Sequence, residues 1–219
     1  MGVRTIEQAE LHAQLHELGH KVTDEMMRNA VRVGYEHMLT CTLFDAPSGA
    51  GFIQWDKTVA TLREAFCGIG WRINNEGGYA TVVDPTGKWA IAVASGDART
   101  GLEGSPAPVT KWPKGSQTAL RIHENQMCLG DLDEAFPRVL AGVPDESLTW
   151  MLLYHNDRQA NEVRMELSLP DGMDSSRRVS SWKRRHILAA FTVERPVFDA
   201  APEVDLEVEV PVERRIAQN

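Results

Sequence analysis

The chain lacks long apolar runs, is poor in cysteine and has no excess of positive charge. Its longest apolar stretches, AIAVA and WMLL, are far shorter than the roughly 18 residues of a membrane-spanning helix. The N-terminal MGVRTIEQAE has no apolar signal region, so we expect a cytoplasmic protein without membrane association. Three widely spaced cysteines, none in a CxxC pair, predict reduced thiols and exclude a disulfide framework.

The charge balance is acidic. The 219 residues include 23 Lys and Arg against 31 Asp and Glu, which gives a net charge of −8. Nucleic acids and anionic membranes repel such a chain, so the net charge argues against either as a default partner. With 42% hydrophobic residues, the chain is long enough and apolar enough to bury a core.

Helical periodicity dominates the first third of the chain. Apolar spacing predicts an amphipathic helix over 5–18 and a second over 23–39, and Thr23 is a suitable N-cap for the second. We expect these two to form a helical hairpin. Residues 46–51, rich in Ala, Pro, Ser and Gly, predict a linker, and a third helix follows over 53–67.

The period then changes from 3.6 to 2. A helix is predicted over 117–129 and strands over 71–74, 79–84, 88–94, 149–155, 162–169 and 186–191. The segment 84–87, Asp-Pro-Thr-Gly, predicts a type I turn. The strand over 149–155 is apolar on both faces, which predicts a central position. In 162–169 apolar residues alternate with Arg164, Glu166 and Ser168, which is typical of a half-exposed strand.

Together these elements predict an α+β fold with a mainly antiparallel sheet and packed helices. The expected organisation is a helical hairpin over 1–45 and an α+β core over 52–195. An acidic tail over 196–219 is expected to be partly extended or disordered.

One short motif suggests a metal site. Residues 16–20 read His-Glu-Leu-Gly-His and resemble the HExxH motif of zinc metallopeptidases, in which two histidines four apart on a helix share a zinc ion. The ligands would be His16 and His20 with Glu36 downstream, and Glu17 would activate a zinc-bound water. Lys21 and the short preceding segment favour the alternative, a solvated helix edge.

A long loop suggests an anion site. Residues 96–115 are rich in Gly and Pro and connect a strand to a helix, and loops of this length are often functional. The loop ends in TKWPKGS, so free helix amides would lie beside lysines, as a phosphate or carboxylate requires. The anion-binding candidates are Lys111, Lys114, Gly115 and Ser116. The alternative is a surface loop with solvated lysines.

The charges are unevenly distributed. Residues 177–186, RRVSSWKRRH, carry five Arg or Lys and no acid, whereas 194–219 carry seven acids and three Arg. We call 177–186 the basic strip. It could contact a protein or, through phosphates, a nucleic acid. Its partner-binding candidates are Arg177, Arg178, Trp182, Lys183, Arg184 and Arg185.

Four phrases between residues 50 and 190 carry a resemblance. They are 91–97 (IAVASGD), 110–115 (TKWPKG), 166–170 (ELSLP), and Trp182 with Arg185, Ile187 and Leu188. Together they resemble a family of uncharacterised proteins carried by bacterial phages and other mobile elements. The resemblance brings no catalytic residues. It implies a setting in which small acidic proteins bind and block host machinery.

We therefore expect a non-enzymatic phage or mobile-element protein in the cytoplasm of a bacterial host. It would bind and modulate a host or competing-phage macromolecule, for example as an inhibitor of a defence system, and would need no cofactor. Two alternatives remain open. One is a metal-dependent hydrolase that uses the motif at 16–20, and the other is a nucleotide- or phosphate-binding module that uses the 96–116 loop.

Overall fold

The computed structural model describes residues 4–5, 22–104, 106–129 and 147–193. Within these ranges three α-helices pack on one sheet. The helices are α1 (Asp24–Met38), α2 (Gly49–Cys67) and α3 (Ser116–Leu129). The strands are β1 (Arg4–Thr5), β2 (Arg72–Asn74), β3 (Thr81–Val83), β4 (Trp89–Ser95), β5 (Leu148–Asp157), β6 (Glu162–Met173) and β7 (Val179–Thr192).

The seven described strands form one sheet in the order β1-β7-β6-β5-β4-β3-β2. Neighbours are antiparallel except β1 with β7 and β4 with β5, which run parallel. The predicted α+β fold with a mainly antiparallel sheet is confirmed, and β5 occupies the centre as its apolar faces predicted. Because β4 and β5 are parallel, both end at the same edge of the sheet, and residues 96–147 connect them.

Helices α1 and α2 cover one face of the sheet. Trp89, Ile91 and Val93 of β4 belong to the core on this face. The helices approach closely at Gly34, where a Cβ atom would lie only 2.6 Å from the Gln54 carbonyl oxygen. The predicted start of α1 is confirmed, since the Thr23 hydroxyl accepts a hydrogen bond from the Met26 amide at 3.3 Å. The other half of the predicted hairpin, 5–18, lies outside the described residues.

Helix α3 and the loop 96–115 cover the opposite face. Asn125 of α3 is buried and links the helix to the sheet: its amide nitrogen donates to the carbonyls of Thr149 (3.0 Å) and Pro170 (3.1 Å), and its oxygen accepts from the Thr149 amide (2.8 Å). The Trp182 indole donates to the Pro108 carbonyl at 2.7 Å and thereby holds the loop. The small side chains of Ala90, Ala92 and Ala94 are buried.

The prediction of a half-exposed β6 is wrong. Arg164, Glu166 and Ser168 are all buried, because the loop 96–115 folds over them. The Glu166 carboxylate accepts the Gly101 amide at 2.8 Å and forms an ion pair with Arg185, and Arg164 donates to the Ala98 carbonyl at 2.8 Å. The alternating pattern was read correctly as a strand, but its polar face meets protein and not water.

Some element boundaries also differ from the prediction. Helix α2 begins at Gly49, inside the predicted linker, and β7 begins at Val179, so it contains most of the basic strip. The turn over 84–87 is closed by the predicted hydrogen bond, from the Gly87 amide to the Asp84 carbonyl at 3.0 Å. The acidic tail lies outside the described residues.

Candidate functional site

An open cleft of about 770 Å³ lies at the carboxyl ends of β4 and β5. Ala94 and Ser95 line it from β4, Gly96 lines it directly after that strand, and 154–156 line it from β5. The beginning of α2 and the TKWPK segment of the loop contribute the remaining walls. Ligands of sheets with parallel strands commonly bind outside the carboxyl ends of those strands. The parallel pairing of β4 with β5 thus places the cleft at a position that favours a ligand.

The lining of the cleft is positively charged. It includes Lys111, Lys114 and Arg158 together with His155, and no Asp or Glu is among the described residues that form it. In a chain of net charge −8, this separation of charges is marked. A concave surface with charges of one sign concentrates the electrostatic field and attracts ligands of the opposite sign. The cleft therefore suits an anion.

The loop holds its lysines on a fixed backbone. The Lys111 amide donates to the Ser95 carbonyl at 2.9 Å and the Lys114 amide to the Arg177 carbonyl at 2.8 Å. The preceding residue, Thr110, is buried and is bonded to β7 at Val179. The Thr110 amide donates to the Val179 carbonyl at 3.0 Å, and the Thr110 hydroxyl accepts a hydrogen bond from the Val179 amide. The predicted loop is thus tied to β4 and β7. Folding of the protein therefore already supplies the free energy that ordering the lysine segment requires, and a ligand does not have to supply it again.

Two basic groups of the cleft have shifted pKa values. Burial lowers the pKa of the Lys114 ammonium, which is half-buried and has no carboxylate within ion-pairing distance among the described residues. Burial also lowers the pKa of His155, although the hydrogen bond between its Nδ1 and the Gly96 carbonyl (3.4 Å) opposes the shift. Partial burial removes water from the charged forms of both groups and destabilises them, so a bound anion would stabilise these charged forms.

A pair of polar side chains joins α2 to the sheet at the cleft. The side-chain amides of Gln54 and Asn156 bond to each other in both directions, with N–O distances of 3.0 and 2.8 Å. Gln54 is only 2% exposed. Next to it, the Trp55 indole donates to the Val93 carbonyl at 3.1 Å. These bonds connect α2 to β4 and β5 and fix the shape of the cleft.

Sequence reasoning found only part of this site. Lys111 and Lys114 line the cleft as predicted anion-binding candidates, whereas Gly115 and Ser116 do not belong to its described lining, and Ser116 is the first residue of α3. His155 and Asn156 were not among the predicted site residues, and they lie near the end of β5. Their position at the end of an apolar strand was the available signal, but the parallel pairing of β4 and β5 was needed to interpret it.

The basic strip is divided by the fold. Trp182 and Arg185 are each 2% exposed and are held by Pro108 and Glu166, so they are unavailable to a partner. This corrects the expectation that both lie on a binding surface, and the reason is that the loop 96–115 covers them. The basic residues of the strip that reach the surface are Arg177, Arg178, Lys183 and the half-buried Arg184.

The metal motif falls largely outside the described residues, since His16 and His20 precede residue 22. Glu36 is exposed on α1. Within the described ranges, no group of three His, Cys, Asp or Glu residues could hold a metal ion. In the same ranges, every helix is too short or too polar to cross a membrane.

Comparisons with known proteins add no further constraint. No protein-family model, curated protein or solved structure matches the chain significantly.

Proposed function

We propose that the chain is a non-enzymatic binding module for a phosphate-bearing ligand, which it holds in the cleft at the carboxyl ends of β4 and β5. The observation that carries this proposal is the lining itself, with Lys111, Lys114 and Arg158 and no carboxylate among its described residues. Phosphate oxygens accept charge-assisted hydrogen bonds from Lys and Arg, and these are stronger than neutral ones.

The fixed backbone of the loop supports the same proposal. A loop that becomes ordered only when a ligand binds reduces the affinity for that ligand, because the lost conformational entropy opposes binding. Here the backbone bonds to Ser95 and Arg177 have already ordered the segment that carries the lysines. The low solvation of Lys114 strengthens its attraction for an anion, because an ion pair is worth more where water is partly excluded.

Titration calorimetry with inorganic pyrophosphate tests the proposal. We expect binding to the wild type to weaken as the salt concentration rises. Lys111→Met and Lys114→Met keep the aliphatic stem but remove the charge, and each should weaken binding about ten-fold or more, since a hydrogen bond to a charged group contributes about 1.5–3 kcal/mol.

Lys183→Met is the matched control, because Lys183 is exposed on the basic strip and is not among the residues that line the cleft. It should change the pyrophosphate affinity less than about two-fold, as expected of a distant, screened charge. Absence of pyrophosphate binding, or an equal loss in all three variants, would contradict a site in the cleft.

A second proposal concerns a macromolecular partner, as the resemblance to phage and mobile-element proteins implies. The connection between α1 and α2 exposes Leu39, Leu43 and Phe44, with exposed fractions of 45%, 80% and 90%. Clustered exposed apolar side chains are typical of protein-binding surfaces. The partner would be a host or competing-phage protein in the bacterial cytoplasm.

Affinity capture from a bacterial lysate tests this second proposal. We expect the tagged wild type to retain a defined protein that the double variant Leu43→Ser/Phe44→Ser loses. The Lys183→Met variant should retain that protein. If both variants retain the same proteins as the wild type, the exposed connection is not the binding surface.

A further inference from the structure

One tryptophan differs from the others in its environment. Trp112 is 61% exposed and lines the cleft, next to Lys111 in sequence. Trp55 is half-buried, and the remaining four are at most 9% exposed, namely Trp71, Trp89, Trp150 and Trp182. Because folding normally removes most of an indole from water, an exposed ring on a rigid segment of a cleft is a candidate for contact with a ligand.

The backbone that carries this ring is fixed. The Thr110 hydroxyl donates to the Trp112 carbonyl at 3.2 Å, and the Lys111 amide is bonded to β4. The Lys111 ammonium lies 5.7 Å from the centre of the Trp112 ring, which is within the range of a cation–π contact. A flat apolar surface and a positive charge are thus side by side on one short segment.

A second aromatic group lines the same cleft. Phe52 of α2 is 62% exposed, and its ring centre lies 5.8 Å from that of Trp55. Both residues line the cleft together with the cations. The cleft volume of about 770 Å³ falls in the range of small-molecule sites and far exceeds the space that a single phosphate group fills.

We infer that the ligand is a nucleoside phosphate, whose base stacks on Trp112 while its phosphates contact Lys111 and Lys114. The inference rests on the proposed function and narrows it, because it adds a flat ring to the anionic group. Aromatic stacking accepts any base, and it contributes about 1–3 kcal/mol per base. The nucleoside phosphate would be a free nucleotide or a residue of a single nucleic-acid strand.

The decisive experiment compares ATP with inorganic tripolyphosphate, both without divalent cations. We expect the wild type to bind ATP about five-fold to 150-fold more tightly, which is the stacking contribution expressed as an affinity ratio. ATP should also quench tryptophan fluorescence, since Trp112 is the exposed member of the set. Trp112→Leu should reduce the ATP affinity to that of tripolyphosphate and leave tripolyphosphate binding unchanged.

Leu120→Ala is the control, because Leu120 of α3 is an exposed apolar residue (38%) that is not among the residues lining the cleft. It should preserve both affinities. Trp112→Phe should retain part of the advantage of ATP, because a smaller ring still stacks. A ten-residue single-stranded DNA tests the source: affinity above that for ATP indicates a strand, and affinity at or below it indicates a free nucleotide.

Three outcomes would overturn the inference in different ways. Equal affinity for ATP and tripolyphosphate would exclude the nucleoside and leave the phosphate-binding function intact. Failure of both ligands to bind would overturn the phosphate-binding function as well. An advantage of ATP that survives Trp112→Leu would exclude Trp112 as the stacking residue.

Discussion

The guanidinium of Arg185 and the carboxylate of Glu166 form a two-pronged ion pair in the interior, with Nε–Oε1 at 3.0 Å and Nη2–Oε2 at 2.5 Å. Arg185 also donates to the Leu102 carbonyl at 3.0 Å, and Glu166 accepts the Gly101 amide and the Ser168 hydroxyl. The pair therefore fastens the loop 96–115 to strands β6 and β7. This attachment holds the first part of the loop, and the backbone bonds of Thr110, Lys111 and Lys114 hold the segment that carries the lysines.

Glu166→Ala should strongly destabilise the protein. The substitution leaves the Arg185 charge buried without its partner, which costs about 3–5 kcal/mol in the free energy of unfolding measured by urea denaturation. Glu25→Ala is the matched control, because Glu25 is exposed and its ion pair with the partly exposed Arg28 should contribute at most about 1 kcal/mol.

The double substitution Glu166→Leu/Arg185→Met should cost less than Glu166→Ala alone, since it leaves no unpaired buried charge. An unfolding free energy for the double variant that is lower than for Glu166→Ala would contradict this account of the pair.

Gly101 should resist replacement. Its φ of +71° is unfavourable for other residues, and a Cβ atom there would lie 2.8 Å from the Arg164 Cβ. We expect Gly101→Ala to lower the unfolding free energy by about 2–4 kcal/mol through strain and crowding together.

Gly104→Ala separates the two causes, because Gly104 also has a positive φ, +95°, but a Cβ atom there meets nothing within 4 Å. It should cost only about 1–2 kcal/mol. Equal losses in the two variants would show that crowding against β6 plays no part.

Asn125→Ala should loosen α3 from the sheet. The substitution leaves the buried Thr149 amide and the carbonyls of Thr149 and Pro170 without this partner, at a cost of about 2–4 kcal/mol in urea denaturation. Gln126→Ala removes a comparable bond, to the Asp171 carbonyl at 2.6 Å, from an exposed position of the same helix. Gln126→Ala should lower the unfolding free energy by less than about 1 kcal/mol. A similar loss of unfolding free energy in the two variants would contradict the expectation that the buried bonds of Asn125 contribute more.

The cleft should bind sulfate more tightly as the pH falls. Burial is the main cause of the lowered pKa of His155, Arg164 lowers it further, and the Gly96 carbonyl, Asp157 and Asp97 raise it. The folded protein thus binds this proton less readily than the unfolded chain, so His155 reduces stability as the pH falls below about 6.5. A bound anion stabilises the protonated His155 ring, so anion binding becomes stronger at the lower pH at which the ring takes up a proton.

Sulfate keeps its charge across this range, so its affinity isolates the protein's titration. We expect the sulfate affinity to rise between pH 7.5 and 5.5, measured by calorimetry, with an upper limit of about ten-fold for each unit by which the bound anion raises the pKa of His155. His155→Gln should abolish the increase. An unchanged increase in that variant would exclude His155 as its source.

The fold was more accessible from the sequence than the site. Thr23 and the apolar spacing after it define the start of α1, and the turn over 84–87 has suitable residues at its defining positions. Such features depend on neighbours in the chain. Lys111 and Lys114 drew attention in the sequence because a long Gly- and Pro-rich loop is conspicuous, and both line the cleft.

What could not be predicted depends on contacts between distant segments. Arg185 reads as one charge among five in the basic strip, and only the covering loop turns it into an interior residue. Glu166 alternates with apolar neighbours whether its face meets water or protein. Gln54 and Asn156 become partners across 102 positions of sequence. Periodicity records which face of an element is apolar, but it does not record what covers the other.

The parallel pairing of β4 with β5 also has a consequence for synthesis of the chain. Strand β4 pairs with β3 on one side as soon as that hairpin has formed, but its other side waits until Leu148–Asp157 has been translated. During that interval the open edge of β4 presents unpaired amides and carbonyls beside Trp89, Ile91 and Val93, a combination prone to association between chains. Nascent chains that stop before β5 should therefore be those most in need of a chaperone.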